Sequence, residues 1–172
     1  MGAPRPRRKP EVGAQLTRAP DAGGPTFYGR RQGRKLRPGR RDLANVRIFA
    51  DDVRLLLPAL PAGSLDRVFL LFPDPWPKTR HAARRFVCRD TLDRLAVLMR
   101  PGAELRIASD DPTYIAWALG QTLGHPAFAW LARQAADWRR PPPDWVPTRY
   151  EAKALAAGRR PAYLRFRRRP PD

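Results

Sequence analysis

The feature that most restricts the fold of this sequence is an apolar run that stops abruptly at three closely spaced prolines. Residues 67–72 read RVFLLF, and the prolines follow at positions 73, 75 and 77. The run does not alternate between apolar and polar residues, which is typical of a strand covered on both faces in a parallel sheet. Proline has no N–H to donate to a sheet, and it restricts the residue before it. We therefore expect a buried strand that ends in a rigid loop.

Strands and helices alternate along the remainder of the chain, and an irregular loop rich in Trp and Pro covers residues 137–147. Such alternation predicts an α/β fold with a parallel, doubly wound sheet. Ligands of such sheets bind beyond the carboxyl ends of the strands. The predicted strands are residues 46–49, 67–72, 104–109 and 162–168, and the predicted helices are residues 82–100, 112–123 and 150–158.

Carboxylates follow three of these strands. Asp51 and Asp52 come after the first, Asp74 after the second, and Asp110 and Asp111 after the third. Acidic residues are also common helix N-caps, which explains Asp110 or Asp111 without any binding role. Asp74 is different, because prolines on both sides hold its carboxylate with little backbone freedom. A rigidly placed charge on a loop indicates a functional site, and a stiff turn with a solvated cationic rim is the alternative.

The charge of the chain is concentrated at its two ends. The 172 residues include 34 Lys and Arg against 16 Asp and Glu, a formal charge of +18. Residues 1–41 carry a net +10 and residues 139–172 a net +7, so the stretch between them is almost neutral. This distribution is typical of a protein that binds a polyanion, and solvated tails are the alternative. Nucleic acid is favoured over a membrane because the basic ends lack an apolar stripe.

Composition also argues against several classes of protein. No apolar run approaches the roughly 20 residues of a membrane helix, so we expect no membrane association. The single cysteine, Cys88, excludes an internal disulfide, and the cysteine and the two histidines are scattered without forming a ligand cluster, so we expect no metal site. We expect a cytoplasmic protein, with a monomer favoured.

Three regions are predicted from these patterns. Residues 1–26 are rich in Pro, Gly, Ala and Arg without periodicity, and we expect a disordered basic tail. Residues 27–41 form a basic segment that opens with two aromatic residues, a combination suited to RNA contact. Residues 42–172 form the folded domain.

Several motifs give the sequence a family resemblance. They are FPDPWPK at 72–78 with RH at 80–81 and RR at 84–85, ASD at 108–110 followed by Tyr114, TRYE at 148–151, and GRRQGRKLRPG at 29–39. With these motifs the sequence resembles the bacterial tRNA (guanine-N7-)-methyltransferases over residues 27–168. The resemblance implies a Rossmann-like class I methyltransferase fold. It also implies S-adenosylmethionine as cofactor, tRNA as partner and a guanine of the variable loop as target.

The resemblance also implies roles for individual residues. Asp74 matches the active-site aspartate at the junction of cofactor and guanine, and Asp51 matches an aspartate of the cofactor pocket. Substrate-binding positions are Lys78, Asp110, Thr148, Arg149, Tyr150 and Glu151. Candidate RNA contacts are Arg30, Arg31, Arg34, Lys35, Arg80, His81, Arg84 and Arg85. We expect His81 to contact a phosphate or the loop, since the reaction needs no strong base.

The sequence departs from this family pattern in one respect. A class I methyltransferase carries a glycine-rich turn after its first strand, and none of the twelve glycines forms one. The first βαβ unit, roughly 30 residues or more, is predicted to be missing near Arg40–Asp42. We therefore expect this chain to bind S-adenosylmethionine weakly or not at all. A catalytically inactive RNA-binding remnant is the alternative to an active methyltransferase.

Overall fold

The computed structural model describes residues 15–18, 47–49 and 51–171. Their strands are β1 (Gln15–Arg18), β2 (Leu65–Leu71), β3 (Met99–Ser109), β4 (Phe128–Trp130) and β5 (Ala162–Arg168). Their α-helices are α1 (Arg89–Leu98), α2 (Pro112–Leu123), α3 (Ala136–Arg139) and α4 (Arg149–Ala156). Three short 3₁₀ helices span Val53–Leu55, Leu57–Ala59 and Thr79–Arg84.

The strands form one mixed sheet in the order β1-β2-β3-β5-β4. Among the described strands, only β2 and β3 pair in parallel, while β1, β5 and β4 pair antiparallel to their neighbours. The prediction of a parallel, doubly wound sheet is therefore wrong, although the α/β class is confirmed. β5 runs antiparallel to β3, because α4 and the short turn after it end at the carboxyl edge of β3, where Ala162 pairs with Ser109. The sheet is consistent with part of a Rossmann-like methyltransferase fold.

One face of the sheet carries the main hydrophobic core. Alternate residues of the three central strands point to it, among them Val68, Leu105 and Phe166, all almost fully buried. The two longer helices cover this face: α1 contributes Leu92 and Leu95, and α2 contributes Tyr114 and Ala118. Burial of these side chains removes apolar surface from water, which is the dominant favourable term in folding.

The opposite face of the central strands carries charged side chains. Arg106 of β3 is 4% exposed and forms ion pairs with Glu104 at 2.9 Å and with Asp144 at 2.9 Å. Arg165 of β5 also binds Glu104, at 2.5 Å. Asp144 belongs to the Trp/Pro-rich loop, so the ion pair between Arg106 and Asp144 holds this loop against the charged face.

Helix α2 confirms the sequence prediction at both ends. Pro112 occupies the first turn, where its missing N–H costs nothing. The carboxylate of Asp111 accepts a hydrogen bond from the N–H of Tyr114 at 2.8 Å and caps the helix. The predicted strand 162–168 is also confirmed, and the predicted strand 67–72 corresponds to β2, which begins at Leu65 and ends at Leu71.

Two predicted elements are wrong. Of the predicted strand 46–49, the described residues 47–49 form no strand. The predicted helix 82–100 is divided into a 3₁₀ helix that ends at Arg84 and α1, which begins only at Arg89. Helix α1 also ends earlier than predicted, since Met99 is already the first residue of β3 and pairs with Leu65.

The amino-terminal regions are described only in part. Within residues 1–26, predicted to be disordered, Gln15–Arg18 form strand β1 beside β2. The other residues of that tail, and the basic segment 27–41, lie outside the described residues, as do Arg30, Arg31, Arg34 and Lys35.

Candidate functional site

The three central motifs meet at the carboxyl edge of β2 and β3. A small second core joins them, formed by Phe72, Ala108, Ala154 and Tyr163. Phe72 opens the proline loop, Ala108 precedes Asp110, Ala154 lies in α4, and Tyr163 lies at the start of β5. The N–H of Phe72 donates to the carbonyl of Ala108 at 2.7 Å and extends the parallel pairing by one bond. The structure therefore brings FPDPWPK, ASD and TRYE to one edge, where sequence reasoning expected a ligand.

The proline loop has an unusual backbone on both sides of Asp74. Phe72 has a φ of +50° and Trp76 a φ of +44°. Such values are genuine outliers for bulky residues and persist only where surrounding contacts enforce them. The carboxylate of Asp74 between them is exposed. The loop thus holds a solvent-facing acid on a strained, fixed backbone.

The buried side chain of Arg85 binds the backbone of this loop. Its side chain is 5% exposed, its Nε donates to the carbonyl of Pro75 at 3.1 Å, and its Nη2 donates to the carbonyl of Trp76 at 3.0 Å. The guanidinium also lies over the Trp117 ring at 4.6 Å. The sequence analysis placed Arg85 with the RNA-contact candidates; in the structure its Nε and Nη2 donors bind the loop, and contact with RNA stays a prediction.

The remaining cations of the motif form an exposed rim. Lys78 and Arg80 are exposed, and Arg84 lies over the Trp76 ring at 4.7 Å. His81 meets the edge of the same ring at a centroid distance of 5.7 Å. Partial burial, together with the positive charges of Arg84, Arg80 and Lys78, holds the pKa of His81 below its ordinary value. The lowered pKa favours the neutral imidazole of His81, and contact of this residue with RNA stays a prediction.

The two neighbouring aspartates after β3, Asp110 and Asp111, make different contacts. Asp111 caps α2, as described above. Asp110 forms an ion pair with Arg159 at 2.5 Å. Arg159 follows Gly158, whose φ of +69° turns the chain from α4 into β5. Arg159 was not predicted as a site residue, since nothing in the sequence places it beside a residue 49 positions earlier.

The TRYE motif begins helix α4 with a capping box. The hydroxyl of Thr148 accepts from the N–H of Glu151 at 3.0 Å, and the Glu151 carboxylate accepts from the N–H of Thr148 at 3.2 Å. Glu151 is 5% exposed and also accepts from the indole N–H of Trp145 at 2.8 Å and from the hydroxyl of Tyr163. Its carboxylate therefore anchors the helix, while Arg149 and Tyr150 are exposed. Substrate contact by these residues stays a prediction.

Asp51 lies apart from these contacts. It is exposed in the bend before the first 3₁₀ helix, and its carboxylate accepts from the N–H of Asp52 at 2.8 Å. Within the described part of the chain, no hydrogen bond or ion pair connects Asp51 to Asp74. Its cofactor role stays a prediction.

Two kinds of feature are absent from the described residues. No helix there is long and apolar enough to span a membrane. No group of three or more His, Cys, Asp or Glu side chains in the same part of the chain is arranged to hold a metal ion.

Comparison with known proteins places the chain in a family. Residues 32–163 match the family model described as "Putative methyltransferase". A tRNA (guanine-N(7)-)-methyltransferase of Rhodospirillum rubrum is 60% identical over 126 residues, which cover 73% of this chain and 49% of that protein. The enzymes of the same name from Paramagnetospirillum magneticum and Azorhizobium caulinodans are 58% and 56% identical, over 73% and 72% of this chain and 52% and 54% of theirs.

The chain spans about half the length of the curated relatives it matches. The family model nevertheless covers most of this chain and includes the proline loop, the end of β3 and the start of α4. On this evidence the chain belongs to this methyltransferase family.

Proposed function

We propose that this chain acts in the transfer of a methyl group to N7 of a guanine in tRNA. The observation that carries the proposal is the meeting of three motifs at one sheet edge. There Asp74 is exposed on a fixed loop, beside the strand that leads to Asp110. The names of the relatives supply the reaction and the kind of RNA.

The chemistry suits an exposed carboxylate. Guanine N7 already presents a lone pair, so its attack on a methyl group needs no strong base. The purine becomes cationic during the reaction, and a carboxylate that accepts from the guanine N1–H and amino group stabilises that charge. We assign this role to Asp74. Asp110 is a second candidate, and its carboxylate also forms an ion pair with Arg159.

The cationic rim and the basic ends of the chain provide for tRNA binding. Lys78, Arg80 and Arg84 are exposed next to the loop, and Arg149 is exposed at the start of α4. Contacts of this kind to phosphates supply affinity that falls with salt concentration. The cytoplasmic location and the monomeric state stay predictions.

S-adenosylmethionine is the methyl donor of the family, and the described residues do not fit a complete site for it. A class I site needs a glycine-rich turn after its first strand to let the backbone approach the cofactor, and the loops after β2 and β3 do not replace that turn, since they contain no glycine. The positive-φ glycines of the described chain lie elsewhere: Gly63 before β2, Gly102 near the amino end of β3 and Gly158 after α4. Gly63 and Gly102 lie at the amino ends of β2 and β3, and Gly158, although it lies in the turn that reaches the carboxyl edge, follows a helix and not a strand.

This poor fit favours a second candidate function. The chain would bind tRNA through its rim and basic ends, and would transfer no methyl group by itself. Both candidate functions use the same edge of the sheet, so only a measurement of methyl transfer distinguishes them.

One experiment separates them. The chain is incubated with a tRNA transcript and S-adenosylmethionine that carries a tritiated methyl group, and RNA binding is followed in parallel by gel shift. Tritium in 7-methylguanosine from the digested tRNA supports the methyltransferase. A gel shift without tritium supports the RNA-binding remnant, and the absence of both contradicts both candidates.

A further inference from the structure

Arg85 is a buried cation that the sequence did not explain. Among the described residues, no carboxylate forms an ion pair with it; its donors bind the carbonyls of Pro75 and Trp76. Burial of an unpaired charge is costly unless hydrogen bonds compensate for it. A buried arginine in this position therefore indicates that the loop requires these two hydrogen bonds.

The sequence of the loop shows why. Prolines occupy positions 73, 75 and 77, so every second residue of this segment lacks an N–H. Such a segment offers its carbonyls few N–H partners, and buried carbonyls left without donors are destabilising. The guanidinium supplies two donors at fixed spacing. It also supports Trp76 in its positive-φ conformation, which its own local preferences disfavour.

Arg85 also connects the loop to helix α2. Its guanidinium lies over the Trp117 ring at 4.6 Å, and the Trp117 indole N–H donates to the carbonyl of Val87 at 2.6 Å. Helix α2 begins directly after Asp110 and its neighbour Asp111. One side chain thus ties the loop that carries Asp74 to the helix that starts beside Asp110.

We propose that Arg85 is a positioning residue that fixes the Asp74 carboxylate and the Trp76 ring at the site. Lysine cannot replace it, because a single ammonium group does not reproduce two forked donors and a planar stacking surface. The catalytic consequence rests on the proposed function, but the effect on the loop does not.

The test compares Arg85→Lys and Arg85→Met with the control Arg94→Met, which removes one charge from the exposed surface of α1. Hydrogen exchange is measured on peptides covering residues 72–85, and the unfolding midpoint is measured in urea. We expect exchange in this segment to become about 10-fold faster or more in both Arg85 variants, with little change in the peptides of α1 and β5. The control should match the wild type throughout.

A kinetic measurement extends the test where the wild type transfers a methyl group. Arg85→Lys should lower kcat about 100-fold while the KM for tRNA changes less than about threefold, since a small misplacement of the loop affects the reaction more than RNA binding. If the wild type transfers nothing, the proposed function fails, and hydrogen exchange still decides the role of Arg85.

A measurement on the wild type covers the case in which both variants unfold. The Nε–H of Arg85 should give a protected signal by nuclear magnetic resonance, in contrast to the Nε–H groups of exposed arginines such as Arg94. Exchange at the rate of exposed arginines, or unchanged exchange over residues 72–85 in folded Arg85 variants, would overturn the proposal.

Discussion

The hydroxyl of Tyr163 on β5 donates a hydrogen bond to the carboxylate of Glu151 in α4. Burial, together with the neighbouring carboxylate, raises the pKa of Tyr163 above its ordinary value, so its hydroxyl keeps its proton throughout the physiological range. Trp145 and the Thr148 backbone donate to the same carboxylate. Glu151 thus holds the start of α4 against β5, and Ala154 of α4 and Tyr163 of β5 pack with Phe72 at the start of the proline loop.

Replacing Tyr163 with Phe tests this arrangement. The change removes one donor from a buried carboxylate, so we expect the free energy of unfolding to fall by about 1–2 kcal/mol in urea denaturation. Tyr150→Phe is the matched control, because Tyr150 is 48% exposed and its hydroxyl should matter by less than about 0.5 kcal/mol. Equal stability of the two variants would contradict the importance of the Tyr163 hydrogen bond.

The capping box of α4 predicts a second stability effect. Thr148→Ala removes the oxygen that accepts from the Glu151 N–H, and we expect a loss of about 1 kcal/mol of unfolding free energy. Thr148→Ser keeps that oxygen and should remain close to the wild type. If the serine variant is as unstable as the alanine variant, the hydroxyl is not the cause.

Substitution of Asp74 tests the proposed chemistry. Asp74→Asn removes the negative charge from an exposed position, so we expect the thermal midpoint and the tRNA gel shift to stay unchanged. Methyl transfer should fall by about 100-fold or more, because electrostatic support of the cationic purine is lost. Turnover equal to that of the wild type would refute the role assigned to Asp74.

The charged face of the sheet predicts how stability depends on pH. Although burial raises it, hydrogen bonds from Arg106 and Arg165 leave the pKa of Glu104 below its ordinary value. A lowered pKa in the folded state stabilises the fold above about pH 4.3, and this contribution disappears as the pH falls through the folded-state pKa.

Glu104→Gln should therefore cost about 2–3 kcal/mol of unfolding free energy at pH 7 and less at pH 3. Urea denaturation at a series of pH values measures this difference. Asp90→Asn, an exposed carboxylate of α1, is the control and should shift stability by less than about 0.5 kcal/mol. A cost that is the same at pH 7 and pH 3 would show that the charge of Glu104 is not what stabilises the face.

The basic segment 27–41 predicts a salt effect on RNA binding. Replacing Arg30, Arg31, Arg34 and Lys35 with Gln should weaken tRNA binding at low salt. In a plot of log affinity against log salt concentration, the slope should become shallower by about 0.7–0.9 for each phosphate that is no longer neutralised. Filter binding between 50 and 200 mM salt, about the range where such contacts dominate, measures both quantities. An unchanged slope would exclude these four residues as phosphate contacts.

Local signals in the sequence predicted some elements well. Pro112 after two aspartates marks the start of α2, and residues 162–168 were predicted as the last strand; both elements are observed at the predicted positions. The division of the predicted helix 82–100 was missed, because the cap at Cys88 uses the Thr91 side chain instead of a typical capping residue. β4 was also missed, since its three residues carry no recognisable pattern.

The features of the candidate site also divide into those that the sequence predicted and those that it did not. The chain alone determined that a carboxylate is confined between prolines at a strand end, since proline geometry acts on its immediate neighbours wherever the segment lies. Only the tertiary structure decided that Arg85 faces inward, that Glu151 anchors α4 and that Asp110 binds Arg159. These contacts join residues 9 to 49 positions apart or depend on burial, and side-chain direction at such positions is set by the packing of whole elements, which no local pattern encodes.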